Sequence, residues 1–182
     1  MEYDSFQDPI MINGTIAPHA VWKGLPVVGI NSIEEEDAVC LIIPETVKNL
    51  GYESLVGFEA AHKDMPNLST IIVVDENPYF TSEDGIVYNK DKTELWLYPA
   101  KREVYEFAVP NTVKTIKEGA FWEAPITFLN LNEGLEIFER GGSFNGLKKI
   151  NIPSTIKCIT PINVESNALP VTIEFIGSLG AI

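Results

Sequence analysis

The residue types most able to do chemistry gather in Gly141-Gly142-Ser143-Phe144-Asn145. A serine nucleophile held between glycines sits on a strained strand-to-helix turn, and the glycine that closes the pattern permits that turn. Here Asn145 stands in its place. The stretch from Gly141 to Lys148 also approaches a phosphate-binding loop, but Leu147 separates Gly146 from Lys148 and no Ser or Thr follows. The lysine and the hydroxyl that such a loop presents to phosphate and Mg²⁺ are therefore not in place. A turn ending in a core Phe explains the same residues.

His19 and His62 are the only imidazoles, and neither has a second ligand at metal-site spacing. Glu34-Glu35-Glu36-Asp37 and Asp75-Glu76-Asn77 offer hard oxygens, yet both lack the glycine and terminal glutamate of a calcium loop; a solvated acidic face is the expected reading. Asn13-Gly14-Thr15 and Asn67-Leu68-Ser69 match the glycosylation triplet, a very common pattern. Trp22, Trp96 and Trp122 with Tyr98 and Tyr105 are flat amphipathic rings of the kind that dominate interfaces, with core packing the default alternative. No catalytic constellation, cofactor motif or metal set emerges, so the expectation is a non-enzyme without a cofactor.

The elements that carry these residues come from a chain of 182 residues, 45% apolar and formally −13. That length suits one elongated domain. The negative charge argues against nucleic acid and anionic membranes as partners. Cys40 and Cys158 lie far apart and belong to no CxxC or Cys/His set, so both are expected to be free and buried. No apolar run is long enough to span a bilayer, and Met1-Glu2-Tyr3-Asp4 lacks the basic start of a signal peptide. Taken literally, that start points to the cytoplasm.

A repeat organises the rest. Ile43-Pro44-Glu45-Thr46-Val47-Lys48-Asn49-Leu50, Val109-Pro110-Asn111-Thr112-Val113-Lys114-Thr115-Ile116, Leu131-Asn132-Glu133-Gly134-Leu135-Glu136-Ile137-Phe138 and Ile152-Pro153-Ser154-Thr155-Ile156-Lys157-Cys158-Ile159 share apolar residues at positions one, five and eight. The anchors Val109, Leu131 and Ile152 are 22 and 21 residues apart, and Ile43 precedes Val109 by 66, three such periods. Spacing of this kind is the signature of a solenoid. A partial copy around Val27 and Ile30 starts the array by about Trp22.

Each anchor ends a short alternating strand: Leu41 and Ile43, Ile71 and Val73, Phe107 and Val109, Leu129 and Leu131, Ile150 and Ile152 point to one face. The Pro that follows in three copies is an exit signal. Phe121 and Phe144, about twelve residues beyond their anchors, are expected to be buried with Val113 and Leu135. Asp84-Gly85 marks a turn, and Ile86-Val87-Tyr88 and Glu94-Leu95-Trp96-Leu97-Tyr98 read as a hairpin joined by Asn89 to Thr93. The fold expected is a right-handed array of short parallel strands in one sheet, with turns and short helical segments, spanning 22–182. A hairpin is inserted at about 84–98, and 1–21 is left unassigned.

The succession I-P-x-T-V-x-x-I, G-A-F, N-P-Y-F-x-S-x-D-G-I-V-Y and K-D-K-T-x-L-x-x-Y-P resembles the BspA-like leucine-rich-repeat family of bacterial surface proteins, from roughly Trp22 to Ile176. The resemblance implies a strand-lined face, an extracellular or cell-surface location and adhesion to a protein or glycan, with no fixed binding motif. A structural spacer that binds nothing is the alternative. Alternation turns Ile42, Ile72 and Val74 away from the core, as it does Phe128 in a later repeat. With Trp96 and Tyr98 of the hairpin they are the expected contact residues, because an exposed apolar patch marks either an interface or an internal cover.

Overall fold

In the computed structural model the described residues are 11–12, 15–16, 20–22, 25–28, 40–43, 45, 47–48, 50, 67–140, 142–165 and 170–176. His19, His62, Glu34 to Asp37 and the first glycosylation triplet through Gly14 fall wholly or partly outside them. Strands β1 (Met11–Ile12) and β2 (Thr15–Ile16) pair antiparallel. Next, β3 (Ala20–Trp22), β4 (Leu25–Val28), β5 (Cys40–Ile43) and β6 (Thr70–Val73) form a four-stranded sheet, antiparallel at β3–β4 and parallel from β4 to β6.

A three-stranded antiparallel meander follows: β7 (Phe80–Glu83), β8 (Ile86–Asn89) and β9 (Glu94–Leu97). The expected hairpin is its second half; β7 is an additional strand. The Asp84-Gly85 turn requires its glycine, since Gly85 has φ +79° and a side chain there would meet the Thr70 backbone at 3.3 Å.

The coils beyond the meander each lay down short strands on separate ladders. One coil gives β10 (Glu106–Ala108), β11 (Thr115–Ile116) and a single bridge at Ala124. The next gives β12 (Phe128–Asn130), β13 (Ile137–Phe138) and β14 (Ser143–Asn145). The third gives β15 (Lys149–Pro153), β16 (Cys158–Ile159) and β17 (Asn163–Glu165), and β18 (Thr172–Ile176) opens a fourth pass. The first ladder runs β10-β12-β15-β18, all parallel. The second runs β9-β11-β13-β16, which joins the coils to the meander in one six-stranded sheet. In it the eighth repeat positions stack in register, Ile116 on Phe138 on Ile159.

Two expectations are corrected here. The strands ending near Ile43, Val73, Val109, Leu131 and Ile152 do not make one sheet. They fall into two, β3-β4-β5-β6 and β10-β12-β15-β18. The reason is local: the outward donors of β6 are taken by the meander, the Ile71 N–H by the Gly85 carbonyl at 3.0 Å and the Val73 N–H by Ser82 Oγ at 2.9 Å. Among the described residues the interval from Ile43 to Val109 holds the expected strand at Ile71 and Val73, β6, and the meander takes up part of the rest. Short helical segments were also expected, but every described element is a strand or a turn. The links between ladders are too short to offset the cost of a helical nucleus.

The interior is built from the repeat positions. Val113, Phe121, Leu135 and Phe144 are all fully buried. Phe121 stands at the centre of a ring cluster, 5.5 Å from Tyr98, 6.0 Å from Phe107, 6.0 Å from Phe138 and 5.5 Å from Phe144. Such pairs add to area burial. The meander separates two clusters: Ile86, Tyr88 and Leu95 pack with the later coils, whereas Val87 and Leu97 pack with Leu41, Ile43, Leu50, Leu68 and Ile71. Where other copies carry Pro at the second repeat position, Asn132 takes its place. Its buried amide donates to the Pro110 and Val113 carbonyls of the preceding coil at 3.0 and 3.2 Å, stapling one turn to the next.

Candidate binding surface

The first ladder of the later coils presents rows of side chains to solvent. Phe107, Leu129 and Ile150 turn inward, so Glu106, Phe128, Lys149 and Thr172 align across the outer face, with Ala108, Asn130, Asn151 and Glu174 as the parallel row. Lys149 organises this surface: its ammonium lies 5.2 Å from the Phe128 ring centre and 2.7 Å from the Glu174 carboxylate. The Asn151 amide donates to Asn130 Oδ1 at 3.3 Å, linking neighbouring strands. A partly exposed ring beneath a cation, bordered by amides and carboxylates, can take both apolar and polar contacts.

At the break between the two sheets lies a cleft of about 850 Å³, lined by Thr70, Lys101, Arg102, Tyr105, Glu123 and Asn145 among others. Arg102 is held there by two contacts. Its Nη1 donates to the Asp84 carbonyl, and its guanidinium sits 5.9 Å from the Tyr98 ring centre. Its buried Nε–H has no partner and it pairs with no carboxylate among the described residues. Sequence reading missed this cleft, because Lys101 to Val104 belongs to no repeat position. The signal available was two adjacent basic residues in a strongly acidic chain.

The expected contact residues separate. Phe128 lies on the outer face as anticipated from alternation. Trp96 is half-buried, edge-on to Phe80 at 5.4 Å, with its Nε1–H donated to Glu94 at 3.0 Å and the Lys117 ammonium 5.3 Å from its ring. Tyr98 is core, in correction of its expected exposure. It is fully buried between Phe107 and Phe121 and donates its hydroxyl to the Val104 carbonyl at 3.1 Å. Burial pushes its phenol up, opposed by the neighbouring Arg102 charge. Ile42 and Ile72 are likewise corrected: with Cys40 they form a closed apolar cluster, 3, 7 and 0% exposed, and Val74 packs at its rim. Both faces of β5 are apolar, and both are closed to water.

The remaining candidates find packing or solvent. Ser143 is buried inside β14, with no histidine among the described residues. Asn77 is buried and occupied by backbone partners, whereas Asp75 and Glu76 are exposed. Among the described residues, no three His, Cys, Asp or Glu side chains gather as metal ligands, and no helix is long and apolar enough to cross a membrane. Both cysteines are free thiols, but Cys158 is exposed on β16 rather than buried as expected.

No protein-family model and no curated protein matches the chain. Among solved structures it is similar to a leucine-rich repeat protein from Eubacterium ventriosum, at 26% identity and a TM-score of 0.60, over 76% of this chain and 36% of that one. It also aligns with the pneumococcal vaccine antigen PcpA at 27% identity and a TM-score of 0.46, over 64% of this chain and 30% of that one. The chain thus spans about a third of the length of each. With its repeat positions stacked in register on parallel ladders and a bacterial leucine-rich repeat protein as its structural neighbour, the chain is a leucine-rich-repeat solenoid.

Proposed function

We propose that the chain is a non-catalytic interaction module, secreted or displayed on a bacterial surface, which holds a protein or glycan partner on its strand-lined face. The observation that carries this reading is the outer row of the β10-β12-β15-β18 sheet, where Phe128 is left partly open beneath Lys149. Stacked coils provide an extended surface at fixed spacing, and a bacterial leucine-rich repeat protein shares the architecture. The sequence resemblance supports the location and the adhesive role.

The test is binding of the purified chain to a panel of extracellular-matrix proteins and to a glycan array. The Phe128→Ser/Lys149→Ala variant is run beside the parent. The expected result is saturable binding to at least one probe, weakened at least tenfold by the double substitution, with an unchanged melting temperature. Absence of binding to any probe, or binding that the variant leaves intact, would overturn the reading.

A further inference from the structure

Among the described residues no strand pairs with the edge of β10 that faces the sheet break, and the hydrogen-bond pattern shows which groups point that way. Toward β12, the Tyr105 carbonyl accepts from the Phe128 N–H at 3.1 Å and the Val109 N–H donates to the Asn130 carbonyl at 2.9 Å. Odd-numbered residues therefore face β12, and the N–H and C=O groups of Glu106 and Ala108 point the other way. β10 pairs with no strand on that side among the described residues, and both Glu106 and Ala108 are exposed. The corresponding edge of β6 is not open, because the Gly85 carbonyl and Ser82 Oγ already occupy it. The β10 edge thus lies inside the array, with described strands before and after it in the chain.

Unpaired edge groups are a template for another strand. Native edges are protected by a bulge, a charged side chain, a proline or a cover; β10 carries a single charge, Glu106, beside Ala108, and no proline within it. Tyr105, which leads into β10, also lines the 850 Å³ cleft where Arg102 has no carboxylate partner among the described residues. Lys101 adds a second cation, and Glu103 and Glu123 keep the lining mixed in charge, but only Arg102 is fixed, by Asp84 and Tyr98.

We propose that this edge is a peptide-binding site: an extended segment of a partner protein adds to β10 as a strand and sets a carboxylate against Arg102. This rests on the interaction-module reading and narrows its partner to a polypeptide. Strand addition supplies affinity through main-chain hydrogen bonds and specificity through alternate side chains. A carboxylate would satisfy a charge that the fold holds in place with no carboxylate partner among the described residues.

The probe is a phage-displayed library of random linear dodecapeptides, panned against the whole chain. Enriched sequences should lack internal proline and carry Asp or Glu at one end. The Ala108→Pro substitution removes an edge donor that β12 does not use, so it should weaken these peptides at least tenfold while leaving the melting temperature within a few degrees. Arg102→Gln should weaken acidic peptides and not their amide counterparts. A second readout uses the unaltered chain: amide exchange at Glu106 and Ala108 should slow at least tenfold when peptide binds. Failure to enrich any peptide, peptides with central prolines, or unchanged exchange at those two amides would overturn the proposal. Glycan or matrix-protein binding that depends on Phe128 but leaves the two amides unprotected would overturn it alone and leave the broader reading standing.

Discussion

The rings of Phe121 and Phe144, one coil apart, meet at a centroid separation of 5.5 Å, and both side chains are fully buried. Phe121 also touches Tyr98, Phe107 and Phe138, so it joins the meander end of the solenoid to two successive coils. Repeat arrays derive much of their stability from such nearest-neighbour contacts. Phe121→Ala should cost about 3–5 kcal/mol and lower the urea midpoint accordingly. An unchanged midpoint would show that the coils do not stack through this ring.

Asn77 ties the backbone at Val47 to the meander. Its Oδ1 accepts from the Tyr79 and Phe80 N–H groups, both at 2.8 Å, and its Nδ2 donates to the Val47 carbonyl at 3.1 Å. Replacing it with Ala would leave a buried Phe80 N–H without its acceptor, a loss of about 1–3 kcal/mol for each group left unsatisfied. The expected outcome is a destabilised chain whose amides at Tyr79 and Phe80 exchange faster than in the parent. Unaltered exchange at those amides would refute the assignment.

The repeat and the core were legible because stacking forces periodicity into the sequence: Ile116, Phe138 and Ile159 occupy one repeat position and pair on one ladder. The split into two sheets was not legible. It depends on Gly85 and Ser82 reaching back to β6, a tertiary choice that neither strand advertises. Alternation correctly set Phe128 outward, yet it failed for Ile42 and Ile72, because period two distinguishes the faces of a strand but not whether the second face is covered. Tyr98 was misread for a related reason. It lies just past β9, where the backbone leaves the strand and its N–H is donated to the Ala120 carbonyl at 2.8 Å, so strand alternation no longer decides its direction.

The two thiols should behave oppositely. Cys158 is exposed and should react with a thiol reagent in the native chain, whereas Cys40 is fully buried and should react only after denaturation. Burial pushes the Cys40 thiol from 9.0 up to about 11, since the thiolate would lose its hydration among Ile42 and Ile72. Above about pH 9 the unfolded chain releases this proton and the native chain keeps it. The native state then binds more protons, so stability is intact below pH 9 and falls as pH rises toward 11. The contribution of this one group can reach a slope of about 1.4 kcal/mol per pH unit. Cys40→Ala removes it, at the cost of a small cavity. Urea unfolding of parent and variant, with thiols kept reduced, should therefore show a stability gap at pH 8 that narrows by pH 10.5. Tyr88, also raised by burial, titrates in both chains and cancels from the difference. A gap of equal size at both pH values would mean that Cys40 is reached by water in the folded chain, and that the apolar cluster on the outer face of β5 and β6 is open rather than closed.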